Sequence, residues 1–429
     1  PSISSDEKHN GDMPKAAAWI GKRLSQAGVE AVEIIQTEGH PIVFGRSLQA
    51  GASAPTVLIY GHYDVQPPEP LASWKTKPFE PVIIGDSLCA RGATDMKGAL
   101  MVSVAALEAV NQGGKMPVNI KFVLEGEEEV GSRHLVAFVN AHKDALSCDY
   151  ILSLDVGELP SRYTPVIAYS LRGGAAFKLT VQGPREDVHS GIYGGMIHNP
   201  IHALSSIISK LHHEDGSIAI PDFYKKVRLV EDGEHAELMS SQLGEDFYLR
   251  QTGAPALWGE AQFIPEERVG ARPSVDVVKF EGGQGKSAIP AQASALLFFR
   301  LVADQDAEEV QQQFHRFLEA NAPRTVTWKL DLIAGYPAVI TDRHSAGVRV
   351  MENALGTVFG NKPKFCRGGG SIPAILMLQS ALKVDSILTG FSLMDDNMHG
   401  PNEKMDLPTW KRGTSALIHF FQHLPKGQL

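Results

Sequence analysis

The 429-residue sequence is poor in cysteine, has no long apolar run and carries no excess of positive charge. Its three cysteines, Cys89, Cys148 and Cys366, are far apart and form no CxxC pair, so we expect no cysteine-ligated zinc site and a reducing, cytoplasmic setting. No apolar stretch reaches the roughly 18 residues of a membrane-spanning helix, which predicts no membrane insertion. The formal net charge of −9 disfavours a nucleic-acid-binding protein, because phosphate binding requires a basic surface.

The overall amino-acid composition is typical of a globular protein. Hydrophobic residues make up 43% and charged residues 21% of the sequence. The chain is longer than one hydrophobic core usually supports, which predicts two domains. Residues 1–6 lack a basic segment followed by an apolar one, so we expect no intact signal peptide there.

Short apolar runs alternate with amphipathic segments in the first 160 residues. Residues 57–60, 120–124 and 150–154 read as buried strands, and residues 96–110 read as a helix. This alternation predicts an α/β domain with three layers and a mainly parallel sheet.

The alternation of strands and helices changes near residue 171 and resumes after residue 340. The intervening strands and helices follow a βαββαβ order, which predicts an inserted α+β, ferredoxin-like domain over residues 172–340. Residues 222–272 within it read as a charged, loop-rich stretch. We therefore expect one α/β domain, residues 1–171 and 341–429, interrupted by the insertion.

Acidic and histidine residues follow the predicted strands. His62 and Asp64 come after the first of them, a glutamate run at residues 125–129 after the second, and Asp155 after the third, while Asp95 precedes the helix. Because ligands bind beyond the carboxyl ends of strands in open α/β sheets, we expect these side chains at one sheet edge.

Each of these residues also has a simpler interpretation. Asp95 suits a helix N-cap, the glutamate run suits a solvated loop, and His399 suits a turn with Gly400. Their joint placement favours a metal site, because zinc accepts imidazole nitrogen and carboxylate oxygen. Two zinc ions need a bridging carboxylate, and hydrolysis needs a further glutamate as general base. Asp64, two residues after His62, suits the orientation of a histidine ligand.

Ordered motifs identify the family that the sequence resembles. Residues 61–65 read GHYDV, residues 91–98 RGATDMKG, and residues 125–132 EGEEEVGS. These resemble signatures of the two-zinc exopeptidase and aminoacylase family, which includes carnosine dipeptidases. LRGG at residues 171–174, HSGIYGG at 189–195 and RGGGSIP at 367–373 are similar to the carnosine-dipeptidase-like branch in particular.

The resemblance implies two divalent metal ions per chain, with Zn²⁺ expected first and Mn²⁺ or Co²⁺ as alternatives. The implied ligands of the two ions are His62, Asp95 and Asp155 for one and Asp95, Glu129 and His399 for the other. Asp64 would orient His62, and a cis peptide would follow Asp95. Glu128 would be the general base; the run of three glutamates leaves Glu127 as the alternative, and the spacing favours Glu128.

The implied function is hydrolysis of a dipeptide amide bond by a metal-bridging hydroxide in a metallopeptidase. An N-acyl-amino-acid deacylase or desuccinylase is the alternative, so the expected substrate is a small peptide or an N-acyl amino acid. A non-catalytic peptide-binding protein on this fold is a third reading, and the intact ligand set argues against it.

Substrate-binding residues are implied in the inserted domain and after it. Arg300 would hold the substrate carboxylate, although a surface arginine at a strand end fits the sequence equally well. Arg367 and Ser371 would line the pocket through a glycine-rich turn that lacks the Walker pattern for phosphate. The insertion would serve as a lid and as the interface of a homodimer, sending His189 into the active site of the partner.

Overall fold

The computed structural model describes residues 1–425, with Ser241 described by its backbone alone. The chain divides into two compact units. Unit 1 comprises Pro1–Tyr169, Thr341–Cys366 and the chain from Ile372 onward, and unit 2 comprises Ser170–Ile340 and Arg367–Ser371. The glycine-rich residues 367–371 therefore belong with unit 2, and their predicted place in the outer segment 341–429 was wrong.

The strands follow in chain order. They are β1 (Ala31–Ile35), β2 (Ile42–Ser47), β3 (Thr56–His62), β4 (Val82–Ile84), β5 (Ser87–Cys89), β6 (Asn119–Glu125), β7 (Tyr150–Ser153), β8 (Val166–Leu171), β9 (Gly173–Gln182), β10 (Val188–His189), β11 (Ser274–Gly282), β12 (Ala288–Ile289), β13 (Gln292–Leu301), β14 (Thr327–Tyr336), β15 (Val339–Ile340), β16 (Lys364–Gly368), β17 (Ser386–Thr389) and β18 (Lys404–Asp406).

The α-helices are α1 (Met13–Gln26), α2 (Lys97–Gly113), α3 (Leu135–Ala141), α4 (Lys143–Leu146), α5 (Ser190–Tyr193), α6 (Pro200–Ser209), α7 (Asp232–Ser241), α8 (Glu245–Thr252), α9 (Pro265–Gly270), α10 (Ala307–Asn321), α11 (Ala346–Phe359), α12 (Pro373–Leu382) and α13 (Leu407–His423). Short 3₁₀ turns occur at Glu7–His9, Leu71–Ser73 and Glu128–Val130.

Several helices begin where the sequence supplies a cap. Asn199 accepts a hydrogen bond from the Ile201 amide at the start of α6, and Asp306 accepts from two amides at the start of α10. Such side chains satisfy amide groups that have no partner within the helix.

The main sheet of unit 1 has the strand order β1-β2-β6-β3-β7-β17-β8. The central strands β6, β3, β7 and β17 run parallel, whereas the flanking pairs are antiparallel. Residues 57–60 of β3 are at most 1% exposed, as expected for a strand that is covered on both faces. The prediction of an α/β fold with a mixed, mainly parallel central sheet is confirmed.

Unit 2 contains an antiparallel sheet with the order β11-β13-β9-β14. With α6 and α10 it has the βαββαβ connection and strand order of a ferredoxin-like domain, as predicted. Alternate residues of β13 are buried, and Leu297 and Phe299 on that face are fully enclosed.

The loop-rich interpretation of residues 222–272 was wrong, because α7, α8 and α9 lie there. The three helices have six to ten residues each and carry few buried side chains, so they lack the apolar stripe that marks a helix in sequence. Within the described residues 1–425, no helix has the length and apolar character needed to cross a membrane.

Candidate active site

Three parallel strands of unit 1 end at the same edge of the sheet. His62 is the last residue of β3, and its register partner Glu125 is the last residue of β6. Asp155 follows β7, which pairs with β3 on the other side. Parallel pairing thus brings residues from distant parts of the sequence to one edge.

Asp95 lies between His62 and His399, the two histidines that the resemblance implies as metal ligands. Its Oδ1 is 3.1 Å from His62 Nε2, and its Oδ2 is 2.7 Å from His399 Nε2. Asp155 Oδ2 lies 3.5 Å from His62 Nε2, and Glu129 Oε2 lies 3.4 Å from His399 Nε2. The cluster therefore consists of two histidine–carboxylate groups that share Asp95.

Asp95 does not cap a helix. Helix α2 begins at Lys97, and its N-cap is Met96, which makes no side-chain capping bond. The N-cap interpretation of Asp95 was therefore wrong, because both of its oxygens face histidines instead. The peptide between Asp95 and Met96 is cis, as the resemblance implies.

The donors of this cluster fit divalent metal ions. His62 is fully buried, and its Nε2 has no hydrogen-bond partner although carboxylate oxygens surround it. A buried polar atom without a partner is costly, and a cation at this point would satisfy it. Burial raises the pKa of Glu129 to about 7 and that of Asp155 to about 6, and the negative charge of Asp95 acts in the same direction on both.

Asp64 connects His62 to the turn that carries Glu128. Its fully buried carboxylate lies 3.3 Å from His62 Nδ1 and accepts hydrogen bonds from the amides of Glu128 (3.3 Å) and Glu129 (3.0 Å). One side chain therefore fixes the ring of a candidate ligand and the backbone of the glutamate turn.

The glutamates of the run have different partners. Glu125 accepts hydrogen bonds from Tyr60 (2.7 Å) and Ser132 (2.8 Å), and Glu127 contacts His134 Nδ1 at 2.8 Å. Both are buried, so the solvated-loop interpretation of the run was wrong for them.

Glu128, in contrast, makes no side-chain hydrogen bond or ion pair with any residue in the range 1–425 and is partly buried. Burial raises its pKa well above the usual range, and the charges of Asp155 and Glu129 act in the same direction. A raised pKa and a free carboxylate are what a general base that later acts as an acid requires.

Sequence analysis missed two residues that hold the loop of Asp95. Glu403 is fully buried and accepts hydrogen bonds from the amides of Gly92 (2.9 Å), Thr94 (2.9 Å) and Asp95 (3.1 Å). Arg91 Nη1 pairs with it at 2.8 Å. Arg91 stands in the RGATDMKG motif and so carried a signal, whereas Glu403, four residues after His399, follows no pattern.

The remaining candidates lie in unit 2. Arg300 on β13 donates from Nη1 to Ser371 Oγ at 2.8 Å, and its guanidinium lies 4.7 Å from the ring centre of Phe298. Arg367 is paired through Nε and Nη2 with both oxygens of Glu234, at 2.6 and 2.8 Å.

His189 ends β10 and is exposed. Its Nδ1 accepts a hydrogen bond from the Gly191 amide at 3.0 Å, so it caps the turn of α5. The roles of His189, Arg300, Arg367 and Ser371 in substrate binding stay predictions.

A mixed sheet whose parallel strands end in a histidine–carboxylate cluster of this kind defines a metal-dependent hydrolase. The sequence model of peptidase family M20/M25/M40 matches residues 58–423, and the chain belongs to this family. The protein is thus an enzyme, a metallopeptidase of the dipeptidase-like type, and the resemblance to the carnosine-dipeptidase-like branch is confirmed.

Named relatives cover nearly the whole chain. A Cys-Gly metallodipeptidase of Saccharomyces cerevisiae is 29% identical over 99% of this chain and 92% of its own length. The human Beta-Ala-His dipeptidase is 28% identical over 94% of this chain and 82% of its own. The crystal structure of an M20 family metallo-carboxypeptidase from Sulfolobus solfataricus superposes with a TM-score of 0.87 at 26% identity, covering 99% of this chain and 96% of that one.

Proposed function

We propose that this protein hydrolyses the peptide bond of dipeptides with two divalent metal ions. The observation that carries the proposal is the position of Asp95, which presents one oxygen to each histidine. His62, Asp95 and Asp155 would hold one ion, and Asp95, Glu129 and His399 the other. The names of the relatives, a Cys-Gly and a Beta-Ala-His dipeptidase, support a dipeptide as substrate.

The metal ions, when bound, would lower the pKa of water and polarise the scissile carbonyl group. Glu128 would take the proton of the attacking water and pass it to the departing amine nitrogen. Its contacts favour this assignment over Glu127, because Glu127 is already engaged with His134. Gln66 donates to Glu129 Oε2 at 2.6 Å and would fix the orientation of that ligand.

We assign catalysis to unit 1 and the roles of lid and dimer interface to unit 2. Arg300, with Ser371, would bind the terminal carboxylate of the dipeptide, because a guanidinium matches a carboxylate in charge and shape. Arg367 would support the same pocket, with Glu234 holding its guanidinium. A cytoplasmic location stays part of the proposal.

The test of the function is product analysis on defined substrates. Protein loaded with zinc, manganese or cobalt is offered a panel of dipeptides beside N-acetyl and N-succinyl amino acids. Faster hydrolysis of dipeptides supports the proposal. Preference for the acylated amino acids would favour the deacylase or desuccinylase alternative. If the protein still hydrolyses these substrates at the same rate after its metal is removed, metal catalysis is rejected.

A homodimer in which His189 acts on the active site of the partner is the second part of the proposal. Because the Gly191 amide donates to Nδ1, a neutral His189 ring carries its proton on Nε2 and has a free donor. Such a donor to the carbonyl oxygen is typically worth ~2.7–4 kcal/mol of activation free energy.

Complementation between two inactive variants tests this arrangement. Co-expression of His189→Ala with Glu128→Gln should yield mixed dimers. One site of such a dimer would combine the intact Glu128 of one chain with the intact His189 of the other only if His189 acts across the interface. Recovered activity supports a shared site. An inactive mixed dimer, or a fully active monomer, rejects it.

A further inference from the structure

Arg172 is a charged residue of unit 2 to which the mechanism above gives no role. It follows β8 and precedes β9. Its Nε donates to the Gly369 carbonyl at 2.8 Å, its backbone amide donates to the Gly370 carbonyl at 3.0 Å, and its Nη1 lies 3.4 Å from Ser274 Oγ. Both the side chain and the backbone of Arg172 therefore hold the glycine-rich loop, residues 368–370.

The glycine-rich loop also packs closely against its surroundings. A Cβ atom at Gly369 would lie 2.3 Å from Val269 Cγ1, and one at Gly368 would lie 2.9 Å from Leu171 Cδ2. A side chain at Gly369 would force Val269 to shift, because the backbone approaches that residue too closely. The loop is thus fixed by close packing on one side and by Arg172 on the other.

The residue after this loop is Ser371, which accepts the hydrogen bond from Arg300 Nη1 at 2.8 Å. A chain of contacts therefore runs from Arg172 through the Gly369 carbonyl and the following backbone to Ser371 and the guanidinium of Arg300. Movement of the loop would change the direction of the Arg300 donor group.

Arg172 and Arg300 differ from Arg367 in their charge partners. Arg367 forms a bidentate ion pair with Glu234. No carboxylate among residues 1–425 lies within ion-pair distance, 4.0 Å, of Arg172 or Arg300. Burial, followed by the charge of Arg300, lowers the pKa of Arg172 to about 10. The charge of Asp276 acts on Arg172 in the opposite direction without forming an ion pair with it. Two neighbouring cations with no carboxylate at ion-pair distance attract an anion, even on a protein of net charge −9.

We propose that Arg172 is a positioning residue for the carboxylate of the substrate. It holds the loop so that Ser371 orients Arg300, and its charge strengthens the attraction of the pair for a carboxylate. This inference rests on the proposed function, in which Arg300 binds the terminal carboxylate of a dipeptide.

The test compares Arg172→Met and Arg172→Lys on a free dipeptide and on its C-terminal amide. For Arg172→Met we expect KM for the free dipeptide to rise about tenfold, which corresponds to ~1.4 kcal/mol, with a much smaller change in kcat. The amide, which lacks the carboxylate, should be affected far less. Arg172→Lys keeps the charge and should recover part of the loss.

Two controls separate positioning from folding. Arg185→Met removes an arginine of the same unit whose side chain is 94% exposed, and it should leave both substrates unaffected. Ser371→Ala combined with Arg172→Met should cost less than the sum of the single changes, because both act through one chain of contacts. Equal losses on dipeptide and amide, or strict additivity of the pair, would overturn the inference.

Binding measurements distinguish failure of this inference from failure of the proposed function. Calorimetry on Glu128→Gln protein compares the affinity for the free dipeptide and for its amide, with and without Arg300→Ala and Arg172→Met. If Arg300→Ala removes the preference for the free dipeptide and Arg172→Met does not, the role of Arg172 is rejected and that of Arg300 stands. If the protein with both arginines intact binds the free dipeptide no more tightly than its amide, the proposed roles of Arg172 and of Arg300 are both rejected.

Discussion

At the scale of single residues, three consecutive glutamates have three different environments. Glu127 pairs with His134, Glu128 has no side-chain partner in the described chain, and Glu129 faces His399. We expect Glu128→Gln to lower kcat by at least ~100-fold, because it removes the proton acceptor while keeping the size of the side chain. Metal content, measured by elemental analysis, should be unchanged.

Glu127→Gln is the matched control for that change. It weakens the contact with His134 and should lower the melting temperature while activity stays near that of the wild type. If Glu127→Gln were inactive and Glu128→Gln active, the base would be Glu127.

Glu403 is a second residue whose importance follows from its contacts. Its carboxylate is fully buried between Arg91 and the amides of the Asp95 loop. Glu403→Ala leaves the charge of Arg91 buried without a carboxylate partner, which typically costs ~3–5 kcal/mol of unfolding free energy. Urea denaturation should show this loss, and metal content should fall because Asp95 is no longer held. Unchanged stability and metal content would contradict this role.

At the scale of secondary-structure elements, the sequence predicted the parts of the site that coincide with apolar runs. Strands β3, β6 and β7 are mostly apolar segments, so their ends, and the residues that follow them, could be predicted without a structure. Strands β1 and β2 were not predicted, because the edge strand β1 is partly exposed and β2 is a short apolar run that is interrupted by Gly45 and Arg46. The role of Glu403 was missed, and residues 367–371 were assigned to the wrong segment of the chain. Long-range hydrogen bonds determine the positions of both, and such contacts leave no periodic pattern in the sequence.

Strand β13 shows how an element stabilises unit 2. Phe299 is fully buried, with ring centres 5.3 Å from Phe177 and 5.5 Å from Phe314. Phe299→Ala should cost ~3–5 kcal/mol, because it leaves a cavity among these rings. Phe280→Ala on β11 is the control, since Phe280 is 42% exposed, and urea denaturation should show a much smaller effect. Equal effects would mean that the aromatic cluster does not dominate this core.

At the scale of the whole molecule, the carboxylate cluster makes stability depend on metal and on pH. Burial raises the pKa of Glu129 from an ordinary value of 4.5 to about 7, and that of Asp155 from 3.8 to about 6, in the protein without metal. At a pH between the ordinary pKa and the raised pKa of each group, the folded state binds more protons than the unfolded state. The unfolding free energy must therefore fall as pH rises from about 4 to 7.

The chelated protein should accordingly melt at a lower temperature at pH 7.5 than at pH 6. The candidate ligand His399 acts in the same direction, because its hydrogen bond with Asp95 raises its pKa and the gain is lost as pH rises. Bound metal should reverse the trend, since cations favour the deprotonated ligands and stabilise the folded state. Calorimetric melting curves with and without metal measure both effects.

Variants of single carboxylates serve as controls. Glu129→Gln should reduce the pH dependence of the melting temperature of the chelated protein, whereas Glu319→Gln, on the exposed face of α10, should not. A chelated protein that gains stability from pH 6 to 7.5 would show that burial does not raise the pKa values of Glu129 and Asp155 in the folded state.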